Sequence, residues 1–185
     1  MKKLFISTII TLLAAVTSLA GAENIMQDKF DNQPFLRWAY FSDQVMGGVS
    51  EGRVEFLEQA GESFARMTGS VSTENNGGFI QIRTDVASGS VDSAAGVYVK
   101  VRGNSQRYFV HLRTSGTLLP WQYYQAEFDV SNDWQIIRLP LSDFKRSGSW
   151  LRKAVKPSSI RSLGVLAYGR EHEAEIDVAE IGFYQ

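Results

Sequence analysis

Val97-Tyr98-Val99-Lys100-Val101-Arg102, followed after a short break by Tyr108-Phe109-Val110-His111-Leu112-Arg113-Thr114, decide the fold of this chain. In the first run Val97, Val99 and Val101 share one parity, and Tyr98, Lys100 and Arg102 the other. In the second, Tyr108, Val110, Leu112 and Thr114 alternate against Phe109, His111 and Arg113. Successive side chains of a strand point to opposite faces, so a period of two built from β-branched and aromatic residues reads as a half-buried antiparallel strand. Tyr124, Ala126 and Phe128 repeat the pattern against Tyr123, Gln125 and Glu127, and similar runs occupy 53–57, 63–71, 79–84, 134–139, 162–167 and 174–184. In the last run the apolar parity slips between Val178 and Ile181, which predicts a bulge near Ala179-Glu180. About nine strands at this spacing, with no sustained 3.6-residue period between them, predict an all-β β-sandwich or jelly roll.

The N-terminus reads differently. Met1-Lys2-Lys3 and the apolar run from Leu4 to Val16 have the form of a signal peptide, and Ala20-Gly21-Ala22 offers the small residues that a signal peptidase needs. The run falls short of the ~20 residues that span a bilayer. The expectation is a signal peptide over residues 1–22 and a single domain over 23–185, exported to the periplasm or secreted, with no stable membrane span after cleavage. A domain of that size buries roughly 70% of its unfolded surface. The chain has no cysteine, which removes disulfides, thiolate metal sites and a cysteine nucleophile. With a net charge of −1 and its Lys and Arg spread along the chain, nothing suggests a nucleic-acid partner.

Two glycine pairs stand between the strand-like runs, in Ser42-Asp43-Gln44-Val45-Met46-Gly47-Gly48-Val49-Ser50 and in Asn75-Asn76-Gly77-Gly78-Phe79. Such pairs permit positive φ or close backbone approach and predict two shaped loops. Trp38 with residues 42–50 resembles the opening signature of the complex I intermediate-associated protein family. Thr73-Glu74-Asn75-Asn76-Gly77-Gly78-Phe79 with Arg83-Thr84 resembles its second block, and Leu139-Pro140-Leu141-Ser142-Asp143-Phe144 and Ile176-Asp177-Val178-Ala179-Glu180-Ile181 fit later ones. The resemblance implies a galactose-binding-like β-sandwich and a non-enzymatic assembly chaperone. The family's mitochondrial members work on the matrix side, whereas the leader directs this chain outward.

Two groups of residues are candidates for binding. If the strands pair as sequence neighbours, Gln81, Arg83, Tyr98, Lys100, Arg102, His111, Arg113, Tyr123, Gln125 and Glu127 share one sheet face, where aromatic rings beside planar polar groups suit a sugar or a peptide surface. The same residues also fit an ordinary solvent-facing sheet with cross-strand pairs such as Arg113 with Glu127. Asp43, Gly47, Gly48, Asn75, Asn76, Gly77 and Gly78 form the second group, a loop cluster that fits either a ligand contact or turn chemistry. Galactose-binding-like domains often hold calcium in such loops, and Asp43 and Glu51 are available carboxylates, but no spaced acidic loop is present and no metal or cofactor is assigned. His111 and His172 stand in no catalytic motif, so no catalytic residue is assigned and an enzyme is not expected. Trp134 is expected in the core, and Trp121, in a loop, is either exposed or a cap on the sandwich. The leading expectation is an exported, non-catalytic domain that binds proteins, membrane-complex subunits among them. The alternative is a carbohydrate-binding module with a glycan ligand.

Overall fold

The computed structural model describes residues 23–185, so the expected signal peptide lies outside the described residues. The chain forms strands β1 (Asn24–Asp28), β2 (Ala39–Ser42), β3 (Glu51–Gln59), β4 (Glu62–Val71), β5 (Phe79–Asp85), β6 (Gly96–Gly103), β7 (Arg107–Thr114), β8 (Tyr124–Asp129), β9 (Gln135–Pro140), β10 (Lys145–Arg146), β11 (Ile160–Tyr168) and β12 (His172–Tyr184). Helical structure among the described residues is confined to 3₁₀ turns, and none is long and apolar enough to cross a membrane. The strands make two antiparallel sheets. The first has the order β3-β4-β12-β6-β9, with β1 on the distal half of β12, and the second has the order β10-β8-β7-β11-β5-β2.

The alternating runs fold as strands because each can place one parity inside. Val97, Val99 and Val101 of β6 meet Tyr108, Val110 and Leu112 of β7 and Leu163 and Val165 of β11 in one core between the sheets. Each fully buried aliphatic side chain there contributes roughly 1.5–3 kcal/mol. Tyr108 is wholly enclosed yet satisfied. Its hydroxyl donates to Asn104 Oδ1 at 2.8 Å and accepts from the Glu175 amide at 2.8 Å, while burial pushes its pKa to about 12. The pairing of β12 with β6 shifts register between Val178 and Glu180, a bulge at Ala179 that keeps Ile176 and Val178 before it, and Ile181 and Phe183 after it, in the core.

The strand order changes what shares a face. Consecutive β6 and β7 lie in different sheets, so Tyr98, Lys100 and Arg102 project from the outer side of the first sheet, away from His111 and Arg113. Lys100 pairs with Glu62. Arg102 Nε donates to Asp177 Oδ2 at 2.8 Å, and Arg66 takes the same carboxylate through Nε and Nη2, both at 2.7 Å. Trp134 is half-buried on this outer face rather than in the core. The Arg102 guanidinium lies over its ring at 4.5 Å, and Phe64 meets it edge-on at 5.9 Å. Lys100 and Arg102 therefore act in a structural ion-pair and aromatic cluster.

Candidate functional site

The outer face of the second sheet is hollowed into a cleft of about 630 Å³. Its floor is β11, which sends Leu163 and Val165 into the core and Ser162, Gly164, Leu166 and Tyr168 into the cleft. Gly164 lies between Arg83 on β5 and His111 on β7. With no side chain at that point, the floor drops between two long neighbours. A glycine inside a strand weakens it by roughly 0.5–1 kcal/mol and often marks a close approach of a ligand.

Around Gly164 the side chains are locked in place. His111 stacks on Tyr123 with centroids 4.1 Å apart and planes at 11°, and its Nε2 donates to Gln125 Oε1 at 3.3 Å. The Tyr123 hydroxyl bonds that of Tyr168 at 2.9 Å. Enclosure lowers the His111 pKa to about 3, so the ring is neutral at physiological pH, and burial raises the pKa of Tyr123. Across the floor, Arg83 stands over the Phe41 ring at 4.4 Å. Arg113 is half-buried, and its Nη2 donates to the carbonyls of Thr117 and Leu119 at 3.2 and 3.1 Å. Burial and the charge of Arg83 lower the pKa of Arg113. The cross-strand pair expected between Arg113 and Glu127 does not form, because β7 places Glu127 opposite Phe109 and within 3.5 Å of Arg107.

One wall is the loop before β8. Trp121 is 62% exposed there and lines the cleft with Pro120. Gln122 Oε1 accepts from the Leu118 and Leu119 amides at 2.8 and 3.0 Å, while Ser147 Oγ accepts from the Tyr123 amide and donates to the Trp121 carbonyl, each at 3.0 Å. The opposite wall comes from the two glycine loops, where Val45, Met46, Asn76 and Gly77 reach the cleft.

Asp43 holds those two loops together from behind and does not line the cleft. Its carboxylate is fully enclosed and accepts from Ser50 Oγ at 2.5 Å and from the amides of Ser50, Gly78 and Phe79 at 2.9, 2.5 and 3.2 Å. A Cβ on Gly48 or Gly77 would overlap that carboxylate, so both glycines exist to admit it. Gly47 and Gly78 instead take φ of +90° and +130°, and Asn75 and Asn76 take left-handed values of 54° and 60°. Glu51 lies exposed at the start of β3, and the described residues contain no group of three or more His, Asp or Glu placed to hold a metal ion.

Of the residues expected to share a face, Gln81, Arg83, His111, Arg113 and Tyr123 line the cleft, and Gln125 braces His111 from beside it. Lys100 and Arg102 belong to the other sheet. Sequence reasoning did not single out Phe41, Gly164 or Tyr168. The available signal was the glycine at the centre of an apolar strand, with Ser162, Leu166 and Tyr168 on its parity.

Solved structures with the same architecture include several carbohydrate-binding modules. The family 11 module from Clostridium thermocellum, in complex with a β-1,3-1,4-mixed-linked tetrasaccharide, superposes with a TM-score of 0.68 at 13% identity, over 84% of this chain and 92% of that one. The family 11 module of the cellulosomal cellulase Lic26A-Cel5E of the same organism gives 0.68 at 13% identity over 88% and 94%. A mannan-recognising module, TmCBM27, gives 0.51 at 8% identity over 90% and 99%. These likenesses establish a galactose-binding-like jelly-roll sandwich and nothing finer. No curated protein matches the chain. The sequence profile of Complex I intermediate-associated protein 30 matches residues 28–178, which takes in both glycine loops, every cleft-lining strand and the Asp43 hub, and the chain belongs to that family.

Proposed function

We propose that the protein is a non-catalytic binding domain that captures a glycan chain in the cleft of its second sheet. The observation that carries this reading is the arrangement over Gly164, where the linked rings of Tyr123 and Tyr168 stand beside the planar donors of Gln81, Arg83 and Arg113. Sugar recognition uses apolar ring faces for stacking and fixed polar groups for hydroxyls. The braced walls lower the ordering cost of binding. The neighbouring modules, solved with a mixed-linked tetrasaccharide or described as recognising mannan, support the same reading by analogy of fold.

Among the described residues no Asp or Glu lines the cleft, so the carboxylate pair used in glycoside cleavage has no counterpart there. His111, kept neutral under Tyr123, is spent on packing. The reading of residues 1–22 as a signal peptide is kept as part of the proposal, since an exported chain meets glycans.

Affinity electrophoresis of the purified protein through gels containing neutral and acidic polysaccharides tests the proposal. Retardation by at least one glycan, abolished in Tyr123→Ala and Tyr168→Ala, supports it; free migration in every gel overturns it. A protein partner is the second reading, in line with family membership. It is favoured by the apolar rim of Val45, Met46, Leu118 and Trp121, exposed at 74%, 52%, 83% and 62%. Partners that co-purify with the wild type and are lost from Met46→Ser/Trp121→Ser would favour that reading.

A further inference from the structure

We propose that the cleft is built for an acidic glycan, with the oxyanion of a uronate or of a sulfated sugar seated between Arg83 and Arg113 above Gly164. This inference rests on the glycan reading above and names the class of glycan.

The chain treats the cations on its two outer sheet faces differently. On the first sheet Arg66 and Arg102 grip Asp177, and Lys100 pairs with Glu62. On the second sheet Arg83 and Arg113 line one cleft, and among the described residues no carboxylate lies within salt-bridge distance of either. No Asp or Glu lines the cleft, and residues 1–22 contain none to supply. Two half-buried positive charges thus face one hollow without compensation, an arrangement that an anion relieves. The lowered pKa of Arg113, caused by burial and by Arg83, agrees with the geometry.

Register puts the two arginines on the strands that flank β11, at neighbouring positions along the same cleft floor. Arg83 on β5 lies opposite Gly164, and Arg113 on β7 lies opposite Ser162, two residues along the shared neighbour β11. The flanking strands stand roughly 10 Å apart, and both side chains are long enough to lean over the gap between them. Arg83 lies over Phe41, and its guanidinium has no protein acceptor among the described residues. Arg113 uses Nη1 and Nη2 on loop carbonyls, and its Nε has no protein acceptor among the described residues. A guanidinium offers paired donors that match a carboxylate or a sulfate.

The occupant is a glycan rather than an acidic peptide because the floor offers no free backbone. An extended peptide gains most of its affinity by adding to an open sheet edge, whereas β11 is paired on both sides. The cleft offers rings and side-chain donors instead.

Isothermal titration of the full purified protein with polygalacturonate, dextran sulfate, a neutral mixed-linkage β-glucan and poly-L-glutamate tests this at low and moderate salt. At least one acidic polysaccharide is expected to bind about tenfold or more tighter than the glucan, and Arg83→Gln to lose about tenfold or more with its melting temperature unchanged. Arg83→Lys, which keeps the charge but not the fork, should fall between them. Preference between the two acidic polymers identifies the oxyanion. Neutral glucan binding as tightly, or acidic binding indifferent to Arg83→Gln, overturns the acidic assignment while the glycan reading stands. Poly-L-glutamate binding as tightly as the polysaccharides overturns it in favour of an acidic peptide. No binding to any polysaccharide overturns both.

Discussion

Asp43 shows how one side chain sets the shape of two loops. Burial pushes its carboxyl pKa up, but the hydrogen bonds from the Ser50 hydroxyl and from the Gly78, Ser50 and Phe79 amides outweigh it and hold the group below its ordinary value. Asp43→Ala leaves those amides unpaired in an enclosed space and should lower stability by on the order of 3 kcal/mol at pH 7, measured by urea unfolding. Because the folded pKa is the lower one, this contribution is present above the unfolded value of 3.8 and fades as pH falls through the folded value. The difference between wild type and Asp43→Ala should therefore shrink below that point. Gly48→Ala, which drives a methyl group into the same carboxylate, should also destabilise, and a wild-type melting temperature for it would remove Asp43 as the hub. The importance of the two glycine pairs was legible in the sequence. Their division of labour was not, since Gly47 and Gly78 serve positive φ while Gly48 and Gly77 make room for a residue brought from elsewhere.

The strands carry the contrast between arginines paired with carboxylates and those that line the cleft without a carboxylate partner among the described residues. Arg102→Ala on β6 strips one partner from the buried Asp177 and should cost about 1–3 kcal/mol in chemical unfolding while ligand capture is unchanged. Arg83→Gln on β5 should do the reverse. A variant of Arg102 that loses capture at wild-type stability would put the site on the wrong sheet. Alternation told which residues of one strand share a face, because the pleat is local. It could not tell that β6 and β7, consecutive in sequence, belong to opposite sheets, because strand partners are chosen by long-range packing. The strands that sequence reading did not find are β1, β2 and β10, each at most five residues long. β2 and β10 form the edges of the second sheet, where one neighbour suffices and no clean apolar parity is needed. Trp134 misled for the same reason, since an aromatic beside an apolar run can pack on the outer face when cations cover it.

At the scale of the whole molecule, both sheets close on one core, so the protein should unfold in a single cooperative transition with strand-dominated circular dichroism. Two resolved transitions would contradict a shared core. Acid should weaken the fold in a defined window. His111 has a folded pKa of about 3 against 6.5 for the unfolded chain, so between those values the unfolded state binds more protons and stability falls as pH drops from 6.5 toward 3. The effect is on the order of a few kcal/mol, and His111→Gln should flatten the slope of melting temperature against pH across that window. The sequence alone determined the all-β class, the bulge at Ala179, the importance of the glycine loops and the family, because each is written in local periodicity or in contiguous motifs. Tertiary structure alone decided where the cleft lies and which residues line it. Arg83, His111, Arg113, Tyr123 and Tyr168 become neighbours only when β11 is inserted between β5 and β7, and the charge they concentrate is left unpaired only because every carboxylate of the fold lies outside the cleft.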